Sequence, residues 1–510
     1  MQKFLNKIRH YILRRKRALI FLLVAFFVIL GIFSYLTNPF TRFSIFDRNL
    51  IKISVSGNEI KIDDIKPVYV HSGPFYESLG KLKSGWHIIV NRLDPRLKTK
   101  GFELNEIIKN IHKERFSEEA AFLISGEHFS MLYPRSLGIF YHSLLDPRTA
   151  LNAKDWENRQ VIYLKTLALI LSTYQNTDRL STTIVPISRK TVTLINIYSP
   201  PSDTLYSILY GLKSLQNTSE LERIYPYTVS NGKKLITTAA AKKLLVTYAG
   251  ELSKMTSNYF EEVYDKNTGL VKKDVSLSSA KDSVKRSSSF YDNVIFWKTI
   301  SLAQELNIIE KDQTFLDQLK NRIIQKFWLE DEGYFLEELS TQAVEEKWYS
   351  SDWLIAYQTG FLDAENERDL KLLTRSVEYV QLNNIDQPFG LRYQLDSRPK
   401  QLHNTVRLFA REYGSTAIWS HWGMEYTKLL VRLSQKTGNI FYLADARDQL
   451  RAYIHNIEQY GGYPEVYENE GGIFRSRVYR GVLETGWIVN FEEALHMYNW
   501  TKLHWNDIVY

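Results

Sequence analysis

Cysteine is absent from all 510 residues. No disulfide framework and no thiolate chemistry, catalytic or metal-binding, is open to the chain. Glycine-rich phosphate loops are missing too, and no dinucleotide fingerprint follows a strand. No pair of histidines stands at zinc spacing beside a third ligand, which argues against a metal hydrolase and predicts no metal or other cofactor. Without a Gly-x-Ser-x-Gly elbow or a cysteine, nucleophilic acyl transfer is disfavoured as well.

Acidic residues are missing from the first 17 positions, where Lys3, Lys7, Arg9, Arg14, Arg15, Lys16 and Arg17 stand. These seven account for most of the formal charge of +8, so the rest of the chain is close to neutral. A basic pI of this origin gives no support for nucleic-acid binding. It suits a tail beside anionic lipid head groups. Long apolar runs are lacking except for one, residues 18–36, which are 19 residues without a charge. At about 1.5 Å per residue that run crosses a hydrocarbon core of roughly 30 Å. Basic flanks stay in the cytoplasm, so the N-terminus is expected inside and everything beyond about residue 38 outside. The rival is a cleaved signal peptide, but Ser34-Tyr35-Leu36-Thr37-Asn38-Pro39 is a poor cleavage site. The expected layout is a cytoplasmic tail (1–17), a transmembrane anchor (18–37), a small β-containing segment (38–100) and a helical domain (101–510).

Residues 51–62 alternate: Ile51, Ile53 and Val55, a Ser56-Gly57-Asn58 turn, then Ile60 and Ile62. This predicts a β-hairpin. Val68-Tyr69-Val70 and His87-Ile88-Ile89-Val90 are read as further strands. From about residue 100 the period becomes helical, as in Val161, Leu164, Leu167, Ala168 and Leu171. Pro200-Pro201-Ser202-Asp203 punctuates the next segment, which carries Leu205, Ile208, Leu209, Leu212 and Leu215. Helices are expected near 236–252, 293–306, 314–328, 352–358, 367–382, 415–434 and 440–460. Aromatic-polar-Gly turns recur between them, around Asp265–Gly269, Asp331–Gly333 and Gly461–Gly462. Repeated helical hairpins with broad apolar faces predict a mainly α, double-layered toroid, with an open solenoid as the alternative.

Aromatics make up 14% of the chain, with 11 Trp and 32 Tyr. They suit either a sugar-stacking cleft or an aromatic core. Carboxylates among such residues are the remaining candidates for chemistry. Glu465 sits in Gly461-Gly462-Tyr463-Pro464-Glu465-Val466-Tyr467, between turn residues and two tyrosines, as a sugar-site acid or a solvated turn. Asp292, in Ser287-Ser288-Ser289-Phe290-Tyr291-Asp292, is a site acid or the cap of a helix starting near Asn293.

Together these stretches resemble the six-hairpin glycosidases, in particular the trehalase and processing α-glucosidase branch. Ser289-Phe290-Tyr291-Asp292 with Trp297 is similar to the branch's general-acid motif, and Glu465-Val466-Tyr467 to its base. Gly471-Gly472 and Glu484-Thr485-Gly486-Trp487 follow in the same order. Asp386-Gln387-Pro388-Phe389-Gly390 resembles a substrate-binding turn, and Tyr413–Trp419 the entry to a helix lining the sugar site. The likeness covers residues 285–500. Before them, Pro134-Arg135 and Phe140-Tyr141 are only loosely similar to the first trehalase signature, whose Trp-Asp pair is replaced by His142-Ser143.

The resemblance implies an (α/α)6 barrel and an inverting hydrolysis of α-glucosidic linkages, with Asp292 as acid and Glu465 as base. It also implies a carbohydrate substrate bound by Arg135, Tyr291, Trp297, Asp386, Trp419, Trp422, Glu425, Tyr467 and Trp487. Two other readings of the same fold stay open. One is a non-catalytic glycan-binding or assembly module. The other is a polysaccharide lyase, for which His128, His403 and His421 are available.

Overall fold

The computed structural model describes residues 46–57, 59–93, 100–117, 119–126, 131–175, 177, 180–196, 202–224, 237–273, 286–398, 401–402, 404–477 and 479–509. The anchor run 18–36 lies outside them. Among the described residues no helix is long and apolar enough to cross a membrane.

The predicted hairpin is present as β1 (Ile51–Ser56) and β2 (Glu59–Ile65), paired antiparallel from Ile51–Ile65 to Ser56–Glu59. Ile60 and Ile62 are buried while Lys61 and Asp63 face solvent, as a two-residue period requires. Next comes β3 (Tyr69–His71), then α1 (Pro74–Leu93). The strand expected at His87–Val90 is therefore helix. A four-residue apolar run carries no period, and Pro74 at the helix start with Glu77 in the first turn favours helix. Gly80 lets α1 lie tight on a sheet: a Cβ there would stand 3.0 Å from side-chain atoms of Thr193 and Ile195.

The helical part begins with α2 (Leu104–Arg115), α3 (Ser136–Ile139) with a 3₁₀ turn at His142–Leu145, and α4 (Ala153–Tyr174). Strands β4 (Thr183–Pro186) and β5 (Thr191–Ile195) follow. β3 pairs parallel to β5, and β4 pairs antiparallel to it. Then come α5 (Ser202–Ile224), α6 (Thr238–Thr247), α7 (Ala249–Val263), the stubs β6 (Tyr264–Asp265) and β7 (Leu270–Val271), and α8 (Phe290–Glu305). α9 (Gln313–Phe327), β8 (Trp328–Leu329) and β9 (Tyr334–Phe335) lead through α10 (Thr341–Glu345) and a 3₁₀ turn at Ser351–Leu354 into α11 (Ile355–Gln358). The chain ends through α12 (Glu367–Leu382), α13 (Asn404–Phe409), β10 (Ile418–Trp419), α14 (Ser420–Thr437), α15 (Ile440–Tyr460), β11 (Val466–Tyr467), α16 (Ile488–Leu503) and α17 (Trp505–Val509).

Six of these helices form an inner layer. α3 packs on α5, α5 on α8, α8 on α11, α11 on α14 and α14 on α16, and α16 returns to the His142–Leu145 turn beside α3. The ring is closed, which decides for the toroid over the open solenoid. α2, α4, α7, α9, α12 and α15 form the outer layer, so the chain runs outer–inner six times. The sequence shows why. Inner helix α14 is buried all round over Ser420–Val431, whereas outer helix α12 buries only Asp369, Leu372, Leu373, Ser376, Val377 and Val380. Gly269 (φ 68°) and Gly333 (φ 79°) supply the left-handed residue in the turns joining β6 to β7 and β8 to β9.

A rim of backbone hydrogen bonds joins the N-terminal ends of the inner helices. Leu339 N bonds Ser287 O (2.9 Å), Phe290 N bonds Glu337 O (2.9 Å), and Glu337 N bonds Trp348 O (2.8 Å). The rim continues through Ser351 N to Tyr393 O (2.9 Å), Tyr393 N to Ala417 O (3.0 Å), Ser420 N to Glu465 O (3.0 Å) and Glu465 N to Val482 O (2.8 Å). Asp292, in the first turn of α8, and Glu465 thus share one end of the barrel.

Candidate active site

Ser289 is the N-cap of α8: its Oγ accepts from Asp292 N (3.1 Å) and donates to Asp292 Oδ2 (2.5 Å). Asp292 is therefore not the cap but a first-turn residue whose carboxyl the cap holds. It is 1% exposed, and its Oδ1 is buried without a hydrogen-bond partner among the described residues. Burial pushes its pKa up to about 8, the carboxylates of Asp203 and Asp352 add to the rise, and Arg286 and Ser289 work against it. At neutral pH Asp292 carries a proton.

Its surroundings come from several other parts of the chain. Tyr291 OH donates to Asp203 Oδ2 (3.4 Å) at the start of α5. Arg286 Nη1 lies 2.5 Å from Asp352 Oδ2, and Tyr393 OH donates to the same oxygen (3.1 Å). Arg398 Nη1 pairs with Glu337 Oε2 at 2.5 Å. Sequence reasoning missed Asp203, Arg286, Glu337, Asp352, Tyr393 and Arg398. Only Asp203 left a trace, as part of a helix-start signal.

Glu465 is 3% exposed, so it is no solvated turn acid. Its Oε2 accepts from Tyr479 OH. From Tyr479 a file of rings runs inward. Tyr479 meets Tyr413 edge-on at 5.0 Å, Tyr413 meets Trp419 at 4.7 Å, Trp419 stacks over Trp487 at 6.3 Å, and Trp487 stacks on Phe140 at 4.1 Å. The Arg135 guanidinium lies 5.9 Å from the Phe140 centroid. A branch leaves at His421, which is edge-on to Trp487 (6.4 Å) and Trp422 (4.6 Å), and Trp422 meets Tyr291 at 6.4 Å, next to Asp292. Tyr291, Trp419, Trp422 and Trp487 are thereby linked between the two acids, with Arg135 at the Phe140 end of the file. The Nε1 donors of Trp422 and Trp487 are buried without hydrogen-bond partners among the described residues. Orphan donors of this kind suit a bound hydroxyl.

The other sequence candidates lie elsewhere. Trp297 donates to Leu316 O of α9 (3.1 Å) and meets Phe361 edge-on at 5.2 Å. Five residues along a helix leave it about 140° around from Asp292, so it faces the outer layer. Asp386 accepts from Tyr426 OH (3.1 Å), and its carbonyl takes Gln449 Nε2 (3.3 Å), which ties its turn to α14 and α15. Tyr467 packs edge-on to Phe389 (4.9 Å) and Tyr453 (6.0 Å). Glu425 sits further along α14, 2.7 Å from Lys428 Nζ and 3.2 Å from His142 Nε2. Burial opposes its charge, but Lys428 and His142 outweigh that and hold the carboxyl well below the usual range. Burial pushes His421 down to about 3, so its ring is neutral. His128 and His403 lie outside the described residues.

The architecture is thus an (α/α)6 barrel whose rim carries two buried acids joined by an aromatic file. No family model and no curated protein sequence matches the chain. Among solved structures it is similar to the rhamnosidase from Klebsiella oxytoca with rhamnose bound (12% identity, 80% of this chain and 64% of that one, TM-score 0.47). It is also similar to the GH78 rhamnosidase of Bacillus sp. GL1 (12%, 76% and 34%, 0.45) and to the GH63 mannosylglycerate hydrolase from Thermus thermophilus in complex with glucose (11%, 77% and 98%, 0.42). The chain spans 64% and 34% of the two rhamnosidases' lengths. All three TM-scores are below 0.5, and the barrel assignment rests on the closed helix ring.

Proposed function

We propose that the chain is a membrane-anchored, extracytoplasmic glycoside hydrolase that cleaves α-glucosidic linkages of an oligosaccharide or glycan with inversion. The observation that carries this reading is Asp292: a buried carboxyl, protonated to about pH 8, with one oxygen unpartnered among the described residues at the mouth of a barrel. A general acid needs that proton affinity and that free oxygen. Asp292 would protonate the glycosidic oxygen while Glu465, on the same rim, deprotonates a water attacking the anomeric carbon from the opposite face. Inversion asks for carboxyls roughly 6.5–9.5 Å apart, leaving room for that water. Trp419 supplies ring surface and Trp422 and Trp487 indole donors for the sugar, and Arg135 a cation for its hydroxyls. The anchor keeps this site at the membrane, where substrates are glycans met outside the cytoplasm.

The test is sugar release from a panel of α-glucosides. Asp292→Asn and Glu465→Gln should each lower turnover by about a hundredfold or more without loss of fold, and the first anomer released from an α-linkage should be β. Full activity in either variant refutes that assignment, and an α-anomer refutes inversion. Unsaturated products from uronic-acid polymers would make the protein a lyase. Sugar binding without release would make it a binding module.

A further inference from the structure

Two guanidinium groups are buried in this part of the rim, Arg286 (4% exposed) and Arg398 (8%). Each has a close carboxylate: Asp352 lies 2.5 Å from Arg286 Nη1, and Glu337 lies 2.5 Å from Arg398 Nη1. Glu337 also lies 3.9 Å from Arg286, and Asp396, on the solvent side, lies 3.1 Å from Arg398, so both guanidiniums are fully matched by carboxylates. Tyr393 OH fixes the Asp352 oxygen that Arg286 uses. Asp292, by contrast, takes its hydrogen bonds from Ser289. Among the described residues Asp292 also feels Asp203, which Tyr291 OH binds, and Tyr259 from α7, whose phenol burial keeps neutral. Glu338 stands at the edge, bonded to Ser287 N and Ser340 Oγ.

We infer that Asp352 is a positioning residue for the proton of Asp292: by holding the Arg286 guanidinium it keeps that cation from pairing with Asp292. A neutral Asp292 then adds no charge to the site, whereas an ionised one adds an anion to a cluster whose guanidiniums are already matched by Asp352, Glu337 and Asp396. Arg286 pulls Asp292 downward, as an Arg beside an Asp does, but its guanidinium is held by a second carboxylate and burial wins. The inference rests on the reading of Asp292 as the general acid, and it goes beyond that reading by assigning the residue that sets its protonation.

The experiment uses the full-length protein and two readouts. One is the infrared stretch of the protonated Asp292 carboxyl, assigned by its loss in Asp292→Asn and followed against pH. The other is the alkaline limb of the pH–activity profile. Asp352→Asn preserves shape but frees Arg286, and both readouts should move to lower pH by at least about one unit, a tenfold change in proton affinity. Arg286→Gln removes the cation, and both should move the other way. It keeps the inference testable should Asp352→Asn fail to fold. An infrared titration that moves while the activity limb stays would uphold the cluster's role and refute Asp292 as the acid. An infrared titration unmoved in the folded variants would overturn the inference, whatever the activity does. Lowered activity with an unmoved titration would mark Asp352 as merely structural, and would overturn it equally.

Discussion

A carboxyl that stays protonated to about pH 8 burdens the fold as well as serving it. Asp292 binds its proton more tightly folded than unfolded, where an aspartate titrates near 3.8. Its contribution to stability is fully present below about pH 4. It declines as pH rises, because only the unfolded chain ionises freely, and it levels off above about pH 8. Asp292→Asn should therefore be inactive and yet more resistant to denaturant than the parent at pH 8, with the gain shrinking toward pH 4. Denaturation midpoints of both proteins at pH 4.5 and pH 8 check this. A variant less stable at both pH values would show that the buried acid carries no such cost. At this scale the sequence was readable where spacing is local. Ser289 and Asp292 sit three apart on one helix turn, so their relation is visible in the string. Asp203, Asp352 and Arg398 reach the same end of the barrel from 89, 60 and 106 residues away, and nothing in their immediate surroundings marks them.

At the scale of elements, close approach decides which helices line the mouth. α3 has only four residues, and Gly138 in its middle lies against α5: a Cβ there would stand 2.8 Å from Ser207 Cα. Backbone cannot swing aside as a side chain can, so Gly138→Ala should cost about 1–3 kcal/mol. It should also weaken sugar binding, because α3 follows directly from Arg135. Urea midpoints and a substrate KM check the two effects, and an unchanged midpoint would mean that the two helices slide apart freely. Helices of this kind also explain what the sequence left hidden. α9, α12 and α15 announce themselves through a period of 3.6 on one face. α11 is no longer than one turn yet falls within the helix expected near 352–358, whereas α3 is too short to show any period, and its hairpin is legible only once its neighbours are seen to enclose it. The same ambiguity made a strand of His87–Val90: four apolar residues fit either a buried strand or one turn of helix, and the surrounding Pro74–Leu93 helix decided.

At the scale of the whole molecule, the toroid was legible because repeated helical hairpins with broad apolar faces call for two packed layers. Its closure was not, since the contact of α16 with the first hairpin joins segments some 350 residues apart. The placement of this barrel outside the cytoplasm is a prediction about topology. In intact cells, externally added protease should degrade the barrel while an epitope fused before Met1 stays protected, and alkaline carbonate should leave the full chain in the membrane fraction. Release by carbonate, or protection of the barrel, would refute the anchor.

The N-terminal strands bear on what such an attachment would transmit. Asp47 N bonds Arg189 O (2.8 Å), Tyr69 N bonds Lys190 O (2.9 Å), and β3 lies parallel to β5. A pull arriving from the N-terminal side is met by these strand bonds as well as by helices. The hairpin β1–β2, seated on α4 and α6, shares the load. Residue 46 is thereby fixed to the barrel wall, so the heading of the mouth relative to it is set by the fold and not by a swivel.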